Sequence, residues 1–149
     1  MRRPSRRRRG ATARSTVVGF GAQSFAILSK IREWDELLRS DPQARRVVRE
    51  VHPEVSFAAL AGGAGQGVVA SKRTPAGVAA RSALLAAVFG EVAISALLQA
   101  VPPREAKTDD VLDALAALWT AERIRDGVAH SLPAEVEPDA AGLDAVIWY

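Results

Sequence analysis

The chain has no cysteine among its 149 residues. This absence excludes disulfides, zinc–thiolate sites and cysteine nucleophiles, and it permits a reducing compartment, so we expect a cytoplasmic protein. Aromatic side chains make up only 5% of the sequence, and much of the 48% apolar share is alanine. Such a composition favours closely packed helices over a core built from bulky rings.

Several motifs that identify common functional classes are also missing. Gly90 and Glu91 interrupt the most apolar stretch, so no run is long enough to span a bilayer, and we expect no membrane association. The sequence contains no P-loop, nucleophile elbow, zinc-protease motif or dinucleotide fingerprint. Serine hydrolases, zinc proteases and Rossmann enzymes therefore have no support.

Positive charge is concentrated at the amino terminus. Residues 1–14 hold seven arginines and no acidic residue, which leaves 13 basic and 17 acidic residues, a net charge of −4, for the remainder. We interpret residues 1–16 as a disordered, low-complexity basic tail and residues 17–149 as the folded part. The arginines could hold nucleic-acid phosphates without reading sequence, or they could be the wrongly translated edge of a longer reading frame.

Hydrophobic periodicity predicts a chain made mainly of helices. Apolar residues recur at helical spacing in several segments, and Thr74 followed by Pro75 is a strong helix start. Ser24 is a candidate cap for the first helix. The predicted helices cover residues 23–39, 53–60, 74–89, 91–99 and 109–126.

Strands are scarce in this pattern. Residues 46–51, which are rich in valine, and residues 146–149 are predicted strands, and residues 16–20 could add a third. Helices mixed with strands in this order indicate an α/β domain. A sheet of one or two strands is marginal by itself, so the pattern suggests that part of a sheet is missing.

Two groups of acidic residues are candidates for metal chemistry. Asp110 and Asp113 lie three residues apart, so on a helix they share a face, and oxygen ligands of this kind suit Mg²⁺ or Mn²⁺. The alternative is that acids in a first helical turn complement the helix dipole and cap free N–H groups. Glu50 ends a predicted strand, where active-site residues of α/β sheets tend to lie, and Glu54 follows in a turn. Both could equally be solvated side chains at a strand end.

Histidine and the basic loop residues give weaker signals. His52 could act as a general base or metal ligand, although a lone histidine before proline is more often structural. Lys72, Arg73 and Arg81 lie on a loop and at a helix start, where basic side chains could grip a nucleic-acid backbone. The alternative for these three is an ordinary solvated loop.

Taken together, several blocks resemble the predicted nucleases of the domain-of-unknown-function 429 family. The resemblance covers about residues 20–149, and the blocks follow one another in the family's order. The matching blocks are QSFAILSKIRE at 23–33, EVHPEVSF at 50–57, KRTPAG at 72–77 with Arg81, DDVLDALAA at 109–117, and GL at 142–143 with IWY at 147–149.

The resemblance implies an RNase H-like α/β fold and a metal-dependent nuclease that hydrolyses phosphodiesters with Mg²⁺ or Mn²⁺. By this match Glu50, Asp110 and Asp113 are the catalytic metal ligands, and Glu54 is a weaker candidate for the same role. The metals would stabilise both the attacking and the leaving oxygen.

The sequence departs from the family pattern at its start. The family's first strand should carry an aspartate, but no acidic residue precedes Glu33. We therefore expect an N-terminally truncated RNase H-like domain with one to three remaining strands, inactive alone and able to self-associate through an unpaired sheet edge. The alternatives are a non-catalytic nucleic-acid-binding protein that uses the arginine tail, and a remnant without function.

Overall fold

A computed structural model describes residues 22–63 and 66–149, with side chains from residue 25 onward. Six helices and two short strands lie in these ranges. The predicted basic tail and the possible strand at 16–20 fall outside them. The elements are α1 Ala22–Ser40, α2 Pro42–Val47, α3 Pro53–Leu60, α4 Pro75–Phe89, α5 Glu91–Ala100, α6 Thr108–Arg125, β1 Ser131–Leu132 and β2 Ile147–Trp148.

The described residues divide into two units, with the boundary after Leu37. Most of α1 belongs to the first unit, and α1 confirms the helix that periodicity predicts for residues 23–39. The predicted cap Ser24 is wrong, because this residue lies inside α1 rather than at its start. All contacts described below lie within the second unit.

The predicted strand at residues 46–51 is wrong for most of its length. Asp41 accepts hydrogen bonds from the backbone N–H groups of Gln43 at 2.7 Å and Ala44 at 3.2 Å, and Pro42 occupies the first helical position. This start nucleates α2, which runs through Val47 despite the valines. Val51 alone forms a bridge, parallel to Trp148.

Prolines, a capping hydroxyl group and a glycine set the other helix boundaries. Pro53 begins α3, and the hydroxyl of Thr74 accepts the Gly77 N–H at 3.1 Å above Pro75, as expected for a capped start of α4. Gly90, with φ of +88°, separates α4 from α5. These boundaries confirm the predicted helices within one or two residues.

The core of the second unit is formed by the four helices α3 to α6. Phe57, Leu85, Leu112 and Ala116 are fully buried, and Ile94 from α5 is nearly so. One polar link crosses this core: the hydroxyls of Ser56 on α3 and Thr120 on α6 lie 2.8 Å apart. The packing fixes α3, α4 and α6 against one another, and these helices carry most of the predicted site residues.

The two strands form a small antiparallel sheet in which Ser131 pairs with Trp148. The pairing continues for one residue before β1 and one residue after β2, because His130 and Tyr149 exchange backbone hydrogen bonds of 2.8 and 2.9 Å. β2 confirms the predicted terminal strand, whereas β1 was not expected because it is only two residues long and precedes Pro133. The described residues are thus mostly helical with one two-stranded antiparallel sheet.

Candidate functional site

The loop before α4 is pressed against that helix. A Cβ atom added at Gly77 would overlap the Ser71 carbonyl oxygen, so only glycine fits there. The same carbonyl accepts the N–H of Thr74 at 2.9 Å and its hydroxyl at 2.8 Å. These contacts fix the backbone on either side of Lys72, and so set the point from which its side chain extends.

Arg81 anchors this loop from inside the protein. Its Nη1 donates to the carbonyl of Ala70 at 2.9 Å, and its Nη2 donates to both carboxylate oxygens of Glu54, at 2.9 and 2.7 Å. The guanidinium also lies over the Phe57 ring, 5.4 Å from its centroid. Arg81 is only 3% exposed, so its burial withdraws it from any contact with a nucleic-acid backbone.

Lys72 reaches from the loop to α6. Its Nζ donates to Asp113 Oδ2 at 2.5 Å, while Asp113 Oδ1 is buried without a hydrogen-bond partner. The hydrogen bond to Asp113 raises the pKa of Lys72, and the charges of Asp113, Asp109 and Glu54 raise it further, while burial opposes them. Carboxylates from two helices therefore act on one ammonium group. We call Glu54, Lys72, Arg81, Asp109 and Asp113 the charged cluster.

The pairing of acids on α6 differs from the one that the sequence suggests. Asp110 Oδ2 accepts the backbone N–H of Lys107 at 3.3 Å, so this exposed carboxylate serves the start of the helix, as in the alternative interpretation. Asp109 and Asp113 are separated by four residues, which places them on one helical face. The four-residue spacing could have identified Asp109, which the sequence-based set omits.

The predicted strand-end residues lie on the segment that precedes α3. Glu50 is exposed, and its carbonyl accepts the Trp148 N–H at 2.9 Å, so its backbone belongs to the link with β2. His52 is exposed at the start of α3, where its side chain makes no capping bond. Glu54 is the member of this group that joins the charged cluster, through its ion pair with Arg81.

A second group of charges lies around the end of α2. Arg45, Arg46 and Arg49 are all exposed. Arg49 Nη1 donates to the carbonyls of Arg45 at 3.2 Å and Val48 at 2.7 Å, and its guanidinium carbon lies 6.0 Å from the ring centroid of Trp148. We call Arg45, Arg46, Arg49 and Trp148 the arginine face. Arginine recurs at 45, 46 and 49 in the sequence, but the prediction places Arg46 and Arg49 in a strand at 46–51 and gives none of the three a role in nucleic-acid binding.

Comparison with known protein families identifies a region of the chain that contains the charged cluster and Arg45, Arg46 and Arg49. A family model described as protein of unknown function, DUF429, matches residues 2–138. The chain belongs to this family. The DUF429 match ends before β2, so Trp148 and the terminal block at 147–149 lie beyond it. No curated protein and no solved structure matches the chain significantly. None of the helices described for this DUF429 protein combines the length and the hydrophobicity that a bilayer span requires.

The metal centre implied by the resemblance can be compared with these contacts. Across residues 22–63 and 66–149, no group of three or more histidine or acidic side chains could hold a metal ion. Arg81 occupies both oxygens of Glu54, Lys72 occupies one oxygen of Asp113, and Asp110 serves its own helix. As arranged, the acidic residues of this DUF429 protein do not fit a two-metal centre.

Proposed function

We propose that this DUF429 protein binds nucleic acids through their phosphate backbone and that, in the arrangement described, it does not cut them. The observation that carries this proposal is the arginine face, where three exposed arginines lie within five residues and one of them contacts an indole ring. The arginine-rich residues 1–14 add further positive charge in the sequence. A partner with a dense negative charge is therefore favoured.

The chemistry of arginine suits this partner. Its planar guanidinium offers five N–H donors and can bind phosphate through two of them at once. Both backbone bonds of Arg49 come from Nη1, so they use only part of this capacity. Arg73, which is exposed beside Lys72, offers a second contact point, and it is the predicted nucleic-acid ligand that this proposal retains.

Trp148 favours single strands over duplexes as the partner. Aromatic rings next to basic side chains allow unpaired bases to stack while the phosphates are neutralised. Trp148 is partly exposed and lies against Arg49, so one residue could hold a base and its neighbour the adjacent phosphate. We expect tighter binding to single-stranded DNA or RNA than to a duplex of the same length.

Fluorescence anisotropy with a labelled single-stranded oligonucleotide tests the proposal. The double variant Arg46→Ala/Arg49→Ala should bind more weakly and should lower the dependence of log K on log salt by about 1.4, because each arginine would neutralise one phosphate and each such phosphate of a single strand contributes about 0.7. Arg104→Ala/Arg125→Ala is the matched control, since it removes the same two charges from side chains that are 82% and 70% exposed and lie outside the arginine face. Equal losses in the control and the double variant would show that only net charge matters, and an unchanged slope would refute the proposal.

A metal-dependent nuclease is the second candidate function, and one atom favours it. Asp113 Oδ1 is buried without a hydrogen-bond partner, which is unusual for a carboxylate oxygen unless a further ligand binds there. Incubation of the purified protein with single-stranded DNA or RNA and Mn²⁺, beside Asp113→Ala, examines this candidate. Cleavage that Asp113→Ala abolishes would support it, whereas cleavage that survives the substitution would remove Asp113 from the site.

A further inference from the structure

We infer that Lys72 is the resident cation of the charged cluster, whose ammonium group neutralises Asp113 and keeps divalent cations away from it. This inference goes beyond nucleic-acid binding and does not depend on it, because it concerns only the contacts between the loop, α3 and α6. It gives a cause for the poor fit of the acidic residues to a metal centre.

The first support is the position of the ammonium group. Lys72 Nζ lies 2.5 Å from Asp113 Oδ2, so a positive charge already sits where a cation would approach that oxygen. The side chains are 36% and 20% exposed, so the pair lies at the protein surface but is shielded on one side. The contacts of Ser71 and Gly77 hold the Lys72 backbone, which keeps the ammonium within reach of α6.

The second support is the balance of charge in the cluster. Glu54, Asp109 and Asp113 contribute three negative charges, and Lys72 and Arg81 contribute two positive charges, for a net charge of −1. Arg81 is buried and tied to the Glu54 oxygens and to Ala70, so it cannot leave. Without Lys72 the cluster would carry −2, the charge that one divalent cation balances.

The third support is the unused oxygen of Asp113. Oδ1 is buried and has no hydrogen-bond partner, so Lys72 satisfies only half of this carboxylate. Asp109 lies one helical turn away on the same face and is close enough to act on the Lys72 charge. Removal of the lysine would therefore leave two carboxylates on one face of α6, with Asp113 offering both of its oxygens to an oxygen-binding ion.

Titration with Mn²⁺ tests the inference, with binding followed by the loss of the free Mn²⁺ electron paramagnetic resonance signal. Lys72→Met removes the charge and keeps an unbranched side chain, and we expect it to raise Mn²⁺ affinity by about tenfold or more over the wild type. Arg104→Met is the matched control, because it removes the same charge from an exposed residue outside the charged cluster and should behave as the wild type. Lys72→Met/Asp113→Asn should lose the gain.

Two outcomes would overturn the inference. One is wild-type binding as tight as that of the variant, and the other is a folded Lys72→Met protein with no gain. Lys72→Gln, which keeps a neutral donor near Asp113, replaces the methionine variant if that protein fails to fold. The wild type alone provides a further check by nuclear magnetic resonance: one equivalent of Mn²⁺ should not broaden the amide signals of α6 around Asp113, and selective broadening there would contradict the proposal.

Discussion

The charged cluster and the arginine face use the same kind of side chain in opposite ways. Arg81 is buried and commits its guanidinium to Glu54, Ala70 and the ring of Phe57. Arg49 lies on the surface and uses one nitrogen for nearby carbonyls. A basic residue thus indicates a partner only when its surroundings leave its charge unmatched. By that criterion Arg81 is part of the framework, whereas the proposed nucleic-acid binding rests on the exposed Arg46 and Arg49.

We expect the largest effect on stability from replacing Arg81, the buried arginine of this comparison. Arg81→Met should lower the free energy of unfolding by about 3 kcal/mol, the lower end of the range for breaking a buried pair, because Glu54 is 39% exposed and water can reach it. Arg46→Met on the arginine face should change it by less than about 0.5 kcal/mol. Urea unfolding of both variants measures the difference, and similar values for the two would contradict the assigned roles.

A second variant, Arg81→Lys, distinguishes the effect of the positive charge on stability from the effect of the guanidinium geometry. Lysine keeps the positive charge but cannot donate from one planar group to both Glu54 and Ala70 while lying over Phe57. We therefore expect it to recover only a small part of the lost stability. Full recovery would mean that the charge matters and the geometry of the guanidinium does not.

A second, smaller effect concerns the loop that carries Lys72. Gly77→Ala places a Cβ atom against the Ser71 carbonyl oxygen, so the loop must move, and we expect a loss of about 2 kcal/mol, within the range for overpacking. Gly67→Ala is the control, since a Cβ atom there meets nothing within 4 Å. Thermal unfolding of the two variants gives the comparison. Equal melting temperatures would show that the loop yields without cost and does not fix Lys72.

The helices could be predicted from the sequence because local chemistry sets their ends. Thr74 and Pro75 fix the start of α4, and Gly90 ends it, whatever the rest of the chain does. The valine-rich segment at 46–51 misled the prediction for a related reason: strand propensity depends on neighbouring strands, whereas the cap at Asp41 acts within its own turn. At residues 46–47 the hydrogen bonds that Asp41 accepts outweigh the strand propensity of the valine-rich segment.

The site was predicted less well because its partners are distant in sequence. Asp113 contacts Lys72, 41 residues earlier, and Arg81 contacts Glu54, 27 residues earlier. Spacing along one helix suggested Asp110 as the companion of Asp113, but it could not show which carboxylate turns toward the helix start. The resemblance identified the family, and only the packing of α3, α4 and α6 shows which charges meet.

The smallest expected effect is the dependence of stability on pH that Lys72 confers. Its pKa is raised in the folded protein, mainly by the hydrogen bond to Asp113, so its contribution is fully present below the unfolded pKa and is lost as pH rises through the folded pKa. The relevant window begins at about pH 10, where an unfolded lysine titrates. Because Lys72 is more than a third exposed, solvent screening limits the contribution to about 0.5 kcal/mol.

Melting temperatures between pH 8 and 11 test this expectation against Lys72→Met. The difference in melting temperature between the wild type and Lys72→Met should shrink as pH rises through the window. The difference between the wild type and Arg73→Met should stay constant, because Arg73 does not titrate in this range. A constant difference between wild type and Lys72→Met across the range would mean that packing of the lysine chain, rather than its charge, supports the cluster. That result would remove the electrostatic basis for a resident cation at Asp113.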